Sequence, residues 1–314
     1  MTLAYIFPGQ GSQAVGMGAD FAKTFPSVKE RLDQAGDILN INLHALIAKG
    51  PSRSLAQTDI AQVAIYSLSY GIFELLNERG MIPSVVAGHS LGQFTALAVS
   101  GAISFDAGLS LVAKRGKFMH QVNQTIDGSM LAVSGLGRKE LTELTRQAGE
   151  DIWLANCNAP SQNVLAGLRP ELQIAHDLVA AAGGRGTWLD VAGPYHTPLL
   201  REAAFRFSQQ IDNCDINYIE IPVIANTTAS ELKESCMIRT ELHCHMLSTV
   251  EWAGTMDLLA KKSVDLIVEV GPGRVLKGLT LRNAPDIKCF TTGTVREVDD
   301  ACHALKENYS CVSL

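Results

Sequence analysis

Short apolar segments that lead into helical patterns constrain the fold of this 314-residue chain more than any other feature. Residues 3–7 (LAYIF) and 84–88 (SVVAG) do not alternate between apolar and polar positions, which is typical of parallel strands covered on both faces. Two more strands are predicted at 222–226 (PVIAN) and 265–271 (DLIVEVG). Helices are predicted at about 17–40 and 60–78, from residue 91, and over 105–120. These patterns together indicate an α/β fold built on a parallel sheet.

The pattern changes between residues 126 and 193, where the predicted elements follow the order β-α-β-β-α-β. This is the order of the ferredoxin-like arrangement. The helix-rich part of the chain resumes near Pro194. We therefore predict a large α/β-hydrolase-like catalytic domain with a parallel sheet, made of residues 1–125 and 194–314. A small ferredoxin-like domain, residues 126–193, is inserted into it.

Composition indicates a globular protein and narrows its partners. Hydrophobic residues make up 46% of the chain and charged residues 18%, which is enough apolar material to form a core. The formal net charge is −6 and no basic cluster is interleaved with aromatic residues, so we expect no nucleic acid partner. No segment reaches the roughly 18 to 20 apolar residues that span a bilayer, and the N-terminus lacks the basic region of a signal peptide. We expect a cytoplasmic monomer that does not enter membranes.

Four local patterns could suggest other chemistry. The seven cysteines are scattered and odd in number, which indicates free thiols. His243, Cys244 and His245 are adjacent, and adjacent side chains diverge, so we predict no metal site. GQGSQA after the first strand matches a loose dinucleotide fingerprint, but no acidic residue ends a second strand about 20 positions on. The C-terminal CVSL matches a prenylation box without a polybasic stretch before it, and we interpret it as a frayed tail.

Ser90 stands in Gly-His-Ser-Leu-Gly, between a predicted strand and a predicted helix. Such a turn can present a serine as a nucleophile, although the same pentapeptide also serves as a plain strand-to-helix connection. A nucleophilic serine needs a base, usually a histidine. His196 is the best candidate because it lies in a loop, AGPYHTPLL, between the last strand of the small domain and a new helix. The GQGSQ loop could aim main-chain N–H groups at a developing negative charge.

Arg115 lies in LVAKRGKFM, on the helix that follows the Ser90 helix. A solvated arginine is the default interpretation of a single basic residue. The functional alternative is a clamp for a carboxylate, because the planar guanidinium can form two parallel hydrogen bonds with it.

Six motifs occur in the order found in malonyl-CoA:acyl-carrier-protein transacylases. They are FPGQGSQ, GHSLG, KRG, ANCNAPSQNVLAG, the lone His196 and EVGPGRVLKGLT. The chain resembles this family from about residue 3 to residue 282. The resemblance implies transfer of a malonyl group from malonyl-CoA to the phosphopantetheine thiol of a holo acyl carrier protein, with no cofactor and no metal.

The resemblance also implies roles for individual residues. Ser90 would carry the malonyl ester, His196 would act as base and then acid, and Arg115 would hold the malonyl carboxylate. The main-chain N–H groups of Gln10 and Leu91 would form the oxyanion hole. Asn156, Asn158 and Gln162 match polar positions that lie near the active site in the family. The residue that orients the histidine would be His245.

Three positions depart from the family pattern. Gln93 replaces a glutamate, and His245 replaces a glutamine, so the orienting contact is sound only if a main-chain carbonyl supplies it. Tyr195 precedes the histidine where serine or phenylalanine is common, and its bulk favours an unsubstituted malonyl group. None of the three removes a catalytic group.

Two rival functions remain open. An acyl-carrier-protein acyl hydrolase on the same scaffold would use the same serine and histidine, but Arg115 is an argument against it because an uncharged acyl chain would leave the guanidinium unpaired. The other rival is an inactive docking module within a synthase. For a carrier protein, we predict a basic docking patch of Arg274, Lys277 and Arg282, with a plain solvated helix face as the alternative.

Overall fold

The computed structural model describes residues 2–310, so the C-terminal CVSL lies outside the described residues. The strands are β1 (Leu3–Phe7), β2 (Val85–Gly88), β3 (Gly128–Ser134), β4 (Ile152–Ala159), β5 (Gln162–Leu168), β6 (Arg185–Trp188), β7 (Val223–Ile224), β8 (Glu231–Leu232), β9 (Leu266–Glu269) and β10 (Lys288–Thr291). The helices of the first half are α1 (Ala19–Thr24), α2 (Pro26–Leu39), α3 (Leu43–Lys49), α4 (Ser52–Leu55), α5 (Thr58–Glu78), α6 (Gly92–Val99), α7 (Phe105–Asn123) and α8 (Arg138–Ala148). Those of the second half are α9 (Arg169–Ala181), α10 (Arg201–Asp212), α11 (Ser235–Cys244), α12 (Trp252–Lys261), α13 (Val275–Asn283) and α14 (Val295–Ser310), with a 3₁₀ turn at Pro198–Leu200.

The larger sheet has the strand order β10-β9-β1-β2-β7-β8. Its strands pair in parallel except β8, which runs antiparallel to β7. Tyr5 and Phe7 of β1 pack into one hydrophobic cluster, and Ala4 and Ile6 pack into another on the opposite face. Burial on both faces explains why the strand is continuously apolar. The predicted parallel sheet is confirmed.

The smaller sheet is antiparallel, with the order β4-β5-β3-β6. Its elements follow the sequence β3-α8-β4-β5-α9-β6, which is the predicted β-α-β-β-α-β order. Leu131 and Leu165 face a core shared with α8 and α9, whereas Met130 and Val164 join the main cluster of the larger sheet. The small sheet is therefore covered by its own helices on one face and by the rest of the protein on the other. The domain boundaries themselves stay a prediction.

The helical patterns predicted over residues 17–40 form two helices. α1 ends at Thr24, Phe25 is extended (φ −122°), and α2 begins at Pro26. A proline disfavours helical geometry in the residue before it and is well placed in the first turn of a new helix. Within residues 2–310, no helix is both long and apolar enough to cross a membrane.

The parallel strands bring several loops to one edge of the larger sheet. Strands β1, β2, β7 and β9 end there together, because the carboxyl ends of parallel strands meet at the same edge. The segments that follow them are PGQGSQ, GHSLG, the residues from Asn226, and VGPG. Most of the predicted site residues lie on or near these segments.

Candidate active site

Ser90 occupies a strained turn between β2 and α6. Its φ is 49°, in the left-handed region, which costs a non-glycine residue on the order of 1–3 kcal/mol. Both flanking glycines are required by close backbone approach. A Cβ on Gly88 would lie 1.9 Å from the carbonyl carbon of Gly92, and a Cβ on Gly92 would lie 2.0 Å from the carbonyl oxygen of Phe7. The two glycines thus let helix, strand and turn pack tightly around the serine.

His196 contacts this serine directly. Its Nε2 lies 2.7 Å from Ser90 Oγ, although 106 residues separate the two in sequence. Its Nδ1 lies 3.0 Å from the main-chain oxygen of His245 and 3.1 Å from that of Ser248. Because carbonyl oxygens only accept, Nδ1 carries the hydrogen and Nε2 is free to accept one from the serine. The contact with His245 is made by its carbonyl, as the departure from glutamine requires.

The buried environment keeps His196 neutral. Its pKa is lowered to about 3, chiefly by burial; the charge of Arg115 and an interaction with His89 act in the same direction, and the two carbonyls at Nδ1 oppose the shift. The His245 ring packs edge-on against the His196 ring, with centroids 5.6 Å apart, and burial also lowers the pKa of His245. A neutral imidazole at neutral pH can accept a proton.

Arg115 is a buried cation beside the serine. Its side chain extends from α7, it is 1% exposed, and its Nη1 donates to Gln62 Oε1 at 2.7 Å. Its Nη2 lies 3.2 Å from Ser90 Oγ. Burial lowers its pKa to about 10, which leaves it protonated at neutral pH. Within residues 2–310 no carboxylate forms an ion pair with it, and its Nε has no hydrogen-bond partner. A buried charge without a counter-ion is unfavourable unless a ligand supplies one.

Two main-chain N–H groups remain open beside the serine. In the part of the chain that the structure describes, neither Gln10 N nor Leu91 N donates a hydrogen bond. Leu91 directly precedes the first residue of α6. The loop that carries Gln10 lies against the nucleophile turn, because a Cβ on Gly9 would meet the carbonyl oxygen of His89 at 2.6 Å. Both N–H groups are therefore placed where an anion could be bound.

Of the three predicted site residues in the ANCNAPSQNVLAG motif, the structure places one at the nucleophile turn. Asn158 Oδ1 accepts a hydrogen bond from His89 Nε2 at 2.9 Å, and His89 is next to the serine. Asn156 is buried in β4, and Gln162 begins β5 with its Oε1 buried. No hydrogen bond described here joins the side chains of Asn156 or Gln162 to the serine, the histidine or the arginine. Their roles stay predictions.

Sequence reasoning missed two polar residues that support the site. Gln62, which holds Arg115, is a fully buried glutamine within the apolar segment IAQVAI of α5, and that mismatch was a usable signal. Asn226, which accepts a hydrogen bond from the Ser90 N–H at 2.7 Å, lies two residues after β7 at the active edge of the sheet. Its position after a parallel strand was the available signal.

The tyrosine before the histidine is fixed by a hydrogen-bond network. The Tyr195 hydroxyl lies 2.6 Å from Thr58 Oγ1 and accepts from Asn123 Nδ2 at 2.8 Å. Tyr195 is 5% exposed, and burial raises its pKa despite these contacts. A ring held in this way adds rigid bulk next to His196.

Known proteins share both the sequence and the fold. Residues 4–290 match the family model described as the acyl transferase domain. The chain belongs to the acyl transferase family. It is 34% identical to the malonyl CoA-acyl carrier protein transacylase of Bacillus subtilis over 309 residues, which covers 97% of this chain and 98% of that protein. It is 37% identical to the transacylase of the same name from Haemophilus influenzae, covering 93% and 95% of the two chains.

A solved structure that is similar to this acyl transferase also contains a malonyl transacylase. It is described as a type II PKS acyl-carrier protein in complex with its malonyl-transacylase. The TM-score is 0.93 at 32% sequence identity, with 97% of this chain and 100% of that chain covered. The resemblance to malonyl-CoA:acyl-carrier-protein transacylases that the six motifs indicate is thereby confirmed.

Proposed function

We propose that this protein transfers a malonyl group from malonyl-CoA to the phosphopantetheine thiol of an acyl carrier protein, through an ester on Ser90. The observation that carries this proposal is the buried Arg115, which has no counter-ion in the described part of the chain and whose Nη2 lies 3.2 Å from Ser90 Oγ. Malonyl has an ionised carboxylate close to its thioester carbonyl. A cation this near the nucleophile suits such an acyl group.

In the acylation half-reaction, Ser90 Oγ attacks the thioester carbonyl of malonyl-CoA while His196 Nε2 takes the serine proton. The carbonyl oxygen becomes negative in the tetrahedral intermediate, and the N–H groups of Gln10 and Leu91 stabilise it. The intermediate then breaks its carbon–sulfur bond. Coenzyme A leaves as a thiol after receiving the proton from His196, and the malonyl group remains as a serine ester.

In the transfer half-reaction the roles reverse. The phosphopantetheine thiol gives its proton to His196 and attacks the ester carbonyl, and the same two N–H groups bind the oxygen. Collapse breaks the bond to Ser90 Oγ, which regains its proton from His196. No cofactor enters this balance. The strand–turn–helix geometry around Ser90 supports the finer proposal that the large domain is α/β-hydrolase-like, with the serine on a nucleophile elbow.

Selectivity follows from two neighbours of the serine in this proposal. Arg115 forms charge-assisted hydrogen bonds with the malonyl carboxylate, and Gln62 fixes its orientation. Tyr195, held by Thr58 and Asn123, restricts the space for a substituent on the acyl group. Asn158 supports the nucleophile turn through His89, and Asn156 and Gln162 are proposed to line the substrate path. That the protein acts as a cytoplasmic monomer also stays a prediction.

The rival hydrolase function receives less support. A carrier-protein acyl hydrolase that accepts neutral acyl chains would leave the Arg115 guanidinium buried and unpaired in its substrate complex. The solved complex of a similar malonyl transacylase with its acyl carrier protein instead supports a carrier protein as acceptor.

Arg115→Ala tests the proposal. We expect kcat/KM for malonyl-CoA to fall on the order of 10²-fold, because the carboxylate loses a buried charged partner worth roughly 3 kcal/mol. For acetyl-CoA, which lacks the carboxylate, we expect no loss. The measurement is acyl transfer to holo acyl carrier protein, followed by mass spectrometry. Lys114→Ala, which removes the neighbouring exposed cation of α7, is the matched control. Equal losses for malonyl-CoA and acetyl-CoA would assign Arg115 a structural role.

A further inference from the structure

The mechanism above does not use Asn226, yet this side chain contacts three points of the nucleophile turn. Asn226 is 2% exposed. Its Oδ1 accepts a hydrogen bond from the Ser90 N–H at 2.7 Å. Its Nδ2 donates to the main-chain oxygen of Gly88 and to Gln93 Oε1, both at 2.5 Å. One amide therefore connects the end of β2, the serine and the first turn of α6.

The main chain at Asn226 is itself held by a buried carboxylate. Glu241 of α11 is 4% exposed, and its Oε1 accepts from Asn226 N at 3.0 Å and from Thr227 N at 3.2 Å. Its Oε2 accepts from the Thr227 hydroxyl at 2.5 Å. Burial raises the pKa of Glu241, and these donors oppose the shift. The carboxylate thus fixes the segment that presents the Asn226 amide to the turn.

The geometry of Ser90 explains why such a support is needed. With φ at 49°, the serine fits neither the strand before it nor the helix after it, so its N–H requires an acceptor from elsewhere in the fold. Without that acceptor the part-buried N–H would be unpaired, or the turn would relax toward a more favourable φ. Relaxation would move Oγ away from His196 Nε2, which lies 2.7 Å away.

An amide is the side chain that this position requires. The Ser90 N–H can only donate and the Gly88 carbonyl can only accept, so the supporting group must offer one acceptor and one donor side by side. An aspartate would keep the acceptor but would place a second oxygen against the Gly88 carbonyl and Gln93 Oε1. Asn226→Asp therefore removes the donor at nearly constant volume.

We infer that Asn226, held in place by Glu241, is a positioning residue that keeps Ser90 in its left-handed conformation and aligned with His196. It contacts no reacting atom and acts only through the turn. This inference rests on the proposed function for its place in the reaction, since it names what supports the nucleophile of that same site.

The test compares Asn226→Asp and Asn226→Ala with wild type and with Asn163→Ala. Asn163 is also a buried asparagine, 1% exposed, and its Nδ2 donates to the Leu136 carbonyl within the small sheet region. Two rates are measured: single-turnover acylation by malonyl-CoA, and labelling of the serine by an alkyl fluorophosphonate. We expect both rates to fall on the order of 10²-fold in the Asn226 variants, as for a misplaced reacting group. KM for malonyl-CoA should change little, because Arg115 is untouched.

The control and a second pair of variants separate positioning from general destabilisation. Asn163→Ala should lower the melting temperature while leaving both rates near wild type. Glu241→Gln and Glu241→Ala both remove the charge, but only Glu241→Gln retains an acceptor for the Asn226 N–H. We therefore expect Glu241→Gln to lose less activity than Glu241→Ala. These two variants also test the inference if an Asn226 variant does not fold.

Fluorophosphonate labelling needs a reactive serine but no malonyl recognition. If wild type transfers no malonyl group yet its labelling depends on Asn226, the proposed function fails and the positioning role stands. Wild-type labelling and acylation rates in Asn226→Asp would overturn the inference. So would an equal loss of rate in Asn163→Ala at a matched decrease in melting temperature.

Discussion

Two strand–turn–helix units at the same edge of the larger sheet use the start of a helix in opposite ways. In the β9–α13 unit, Glu269 ends the strand and its carboxylate accepts from Leu276 N at 3.0 Å and from Lys277 N at 2.7 Å. In the β2–α6 unit no acidic side chain does this, and Leu91 N has no acceptor within residues 2–310. We call the first the closed turn and the second the open turn.

The difference shows how the N–H groups at the start of a helix can serve either the stability of the fold or the binding of a ligand. The N–H groups at the start of a helix carry partial positive charge and attract anions. The closed turn satisfies two of them, those of Leu276 and Lys277, with its own buried glutamate, so these two groups stabilise the fold. The open turn ends its strand in Gly88, which has no side chain to offer. In the proposed mechanism, its free N–H binds the oxygen that becomes negative during acyl transfer.

The largest effect is expected from removing the nucleophile of the open turn. Ser90→Ala should abolish the covalent malonyl-enzyme while leaving the fold intact, because alanine retains the Cβ and loses only the attacking oxygen. Intact-mass analysis after incubation with malonyl-CoA measures the adduct, and circular dichroism checks the fold. A malonyl adduct on the variant protein would show that the nucleophile is another residue.

The second-largest effect is expected from removing His196, the base that faces the open turn. His196→Ala should lower malonyl transfer by about 10² to 10⁴-fold, with the greatest loss in serine acylation. Because burial lowers the pKa of His196 to about 3 in the free enzyme, it remains a neutral base across the range above that value. The pH profile of wild-type kcat/KM should therefore lack an acidic limb near 6.5, the usual histidine pKa. A limb at that pH would contradict the assignment of a buried, neutral base.

The closed turn is tested by the stability of the protein. Burial raises the pKa of Glu269 to about 7 from its usual 4.5. Between these values the Glu269 side chain binds more protons in the folded protein than in the unfolded chain, so its contribution to the free energy of unfolding falls as pH rises through this window. This contribution should amount to about 3 kcal/mol in wild type and be absent in Glu269→Gln, whereas the buried histidines contribute equally to both proteins.

Chemical denaturation of both proteins between pH 4.5 and pH 8 measures this difference. Malonyl transfer by folded Glu269→Gln should stay close to wild type, since the closed turn takes no part in the chemistry. The same pH dependence in both proteins would show that Glu269 is not the titrating group.

The smallest effect concerns the outer surface of the closed turn. Arg274 is 82% exposed on its side chain, and it lies with Lys277 and Arg282 at or in α13. Reversing Arg274 and Lys277 to glutamate should raise KM for the acidic carrier protein by roughly several-fold and weaken its dependence on salt. The control variant replaces Lys139 and Arg146 of α8 with glutamate, which changes the net charge by the same amount at a different place on the surface. If the kinetics at low salt are unchanged, these residues do not form the docking site for the carrier protein.

Local patterns in the sequence were sufficient to predict much of this protein. Continuous apolar segments predicted β1 and β2, because strands buried on both faces admit few polar residues. The order β-α-β-β-α-β was predictable from short periodic segments. β8 and β10 were not predicted as strands, since β8 has only two residues and β10 is a partly exposed strand at the edge of the sheet without a clear period.

By itself the sequence determined which groups could do the chemistry: a serine between two glycines, a histidine in a loop and an arginine on a helix. Only the tertiary structure decided that Ser90 and His196 meet, and that Arg115 has no counter-ion among residues 2–310. It alone placed the Asn226 amide against the serine. It also showed that His196 Nδ1 donates its hydrogen bond to the main-chain carbonyl of His245 and not to its ring nitrogens. The physical reason is that these contacts join strand ends and loops far apart in the chain, and several use main-chain groups, which every residue type carries.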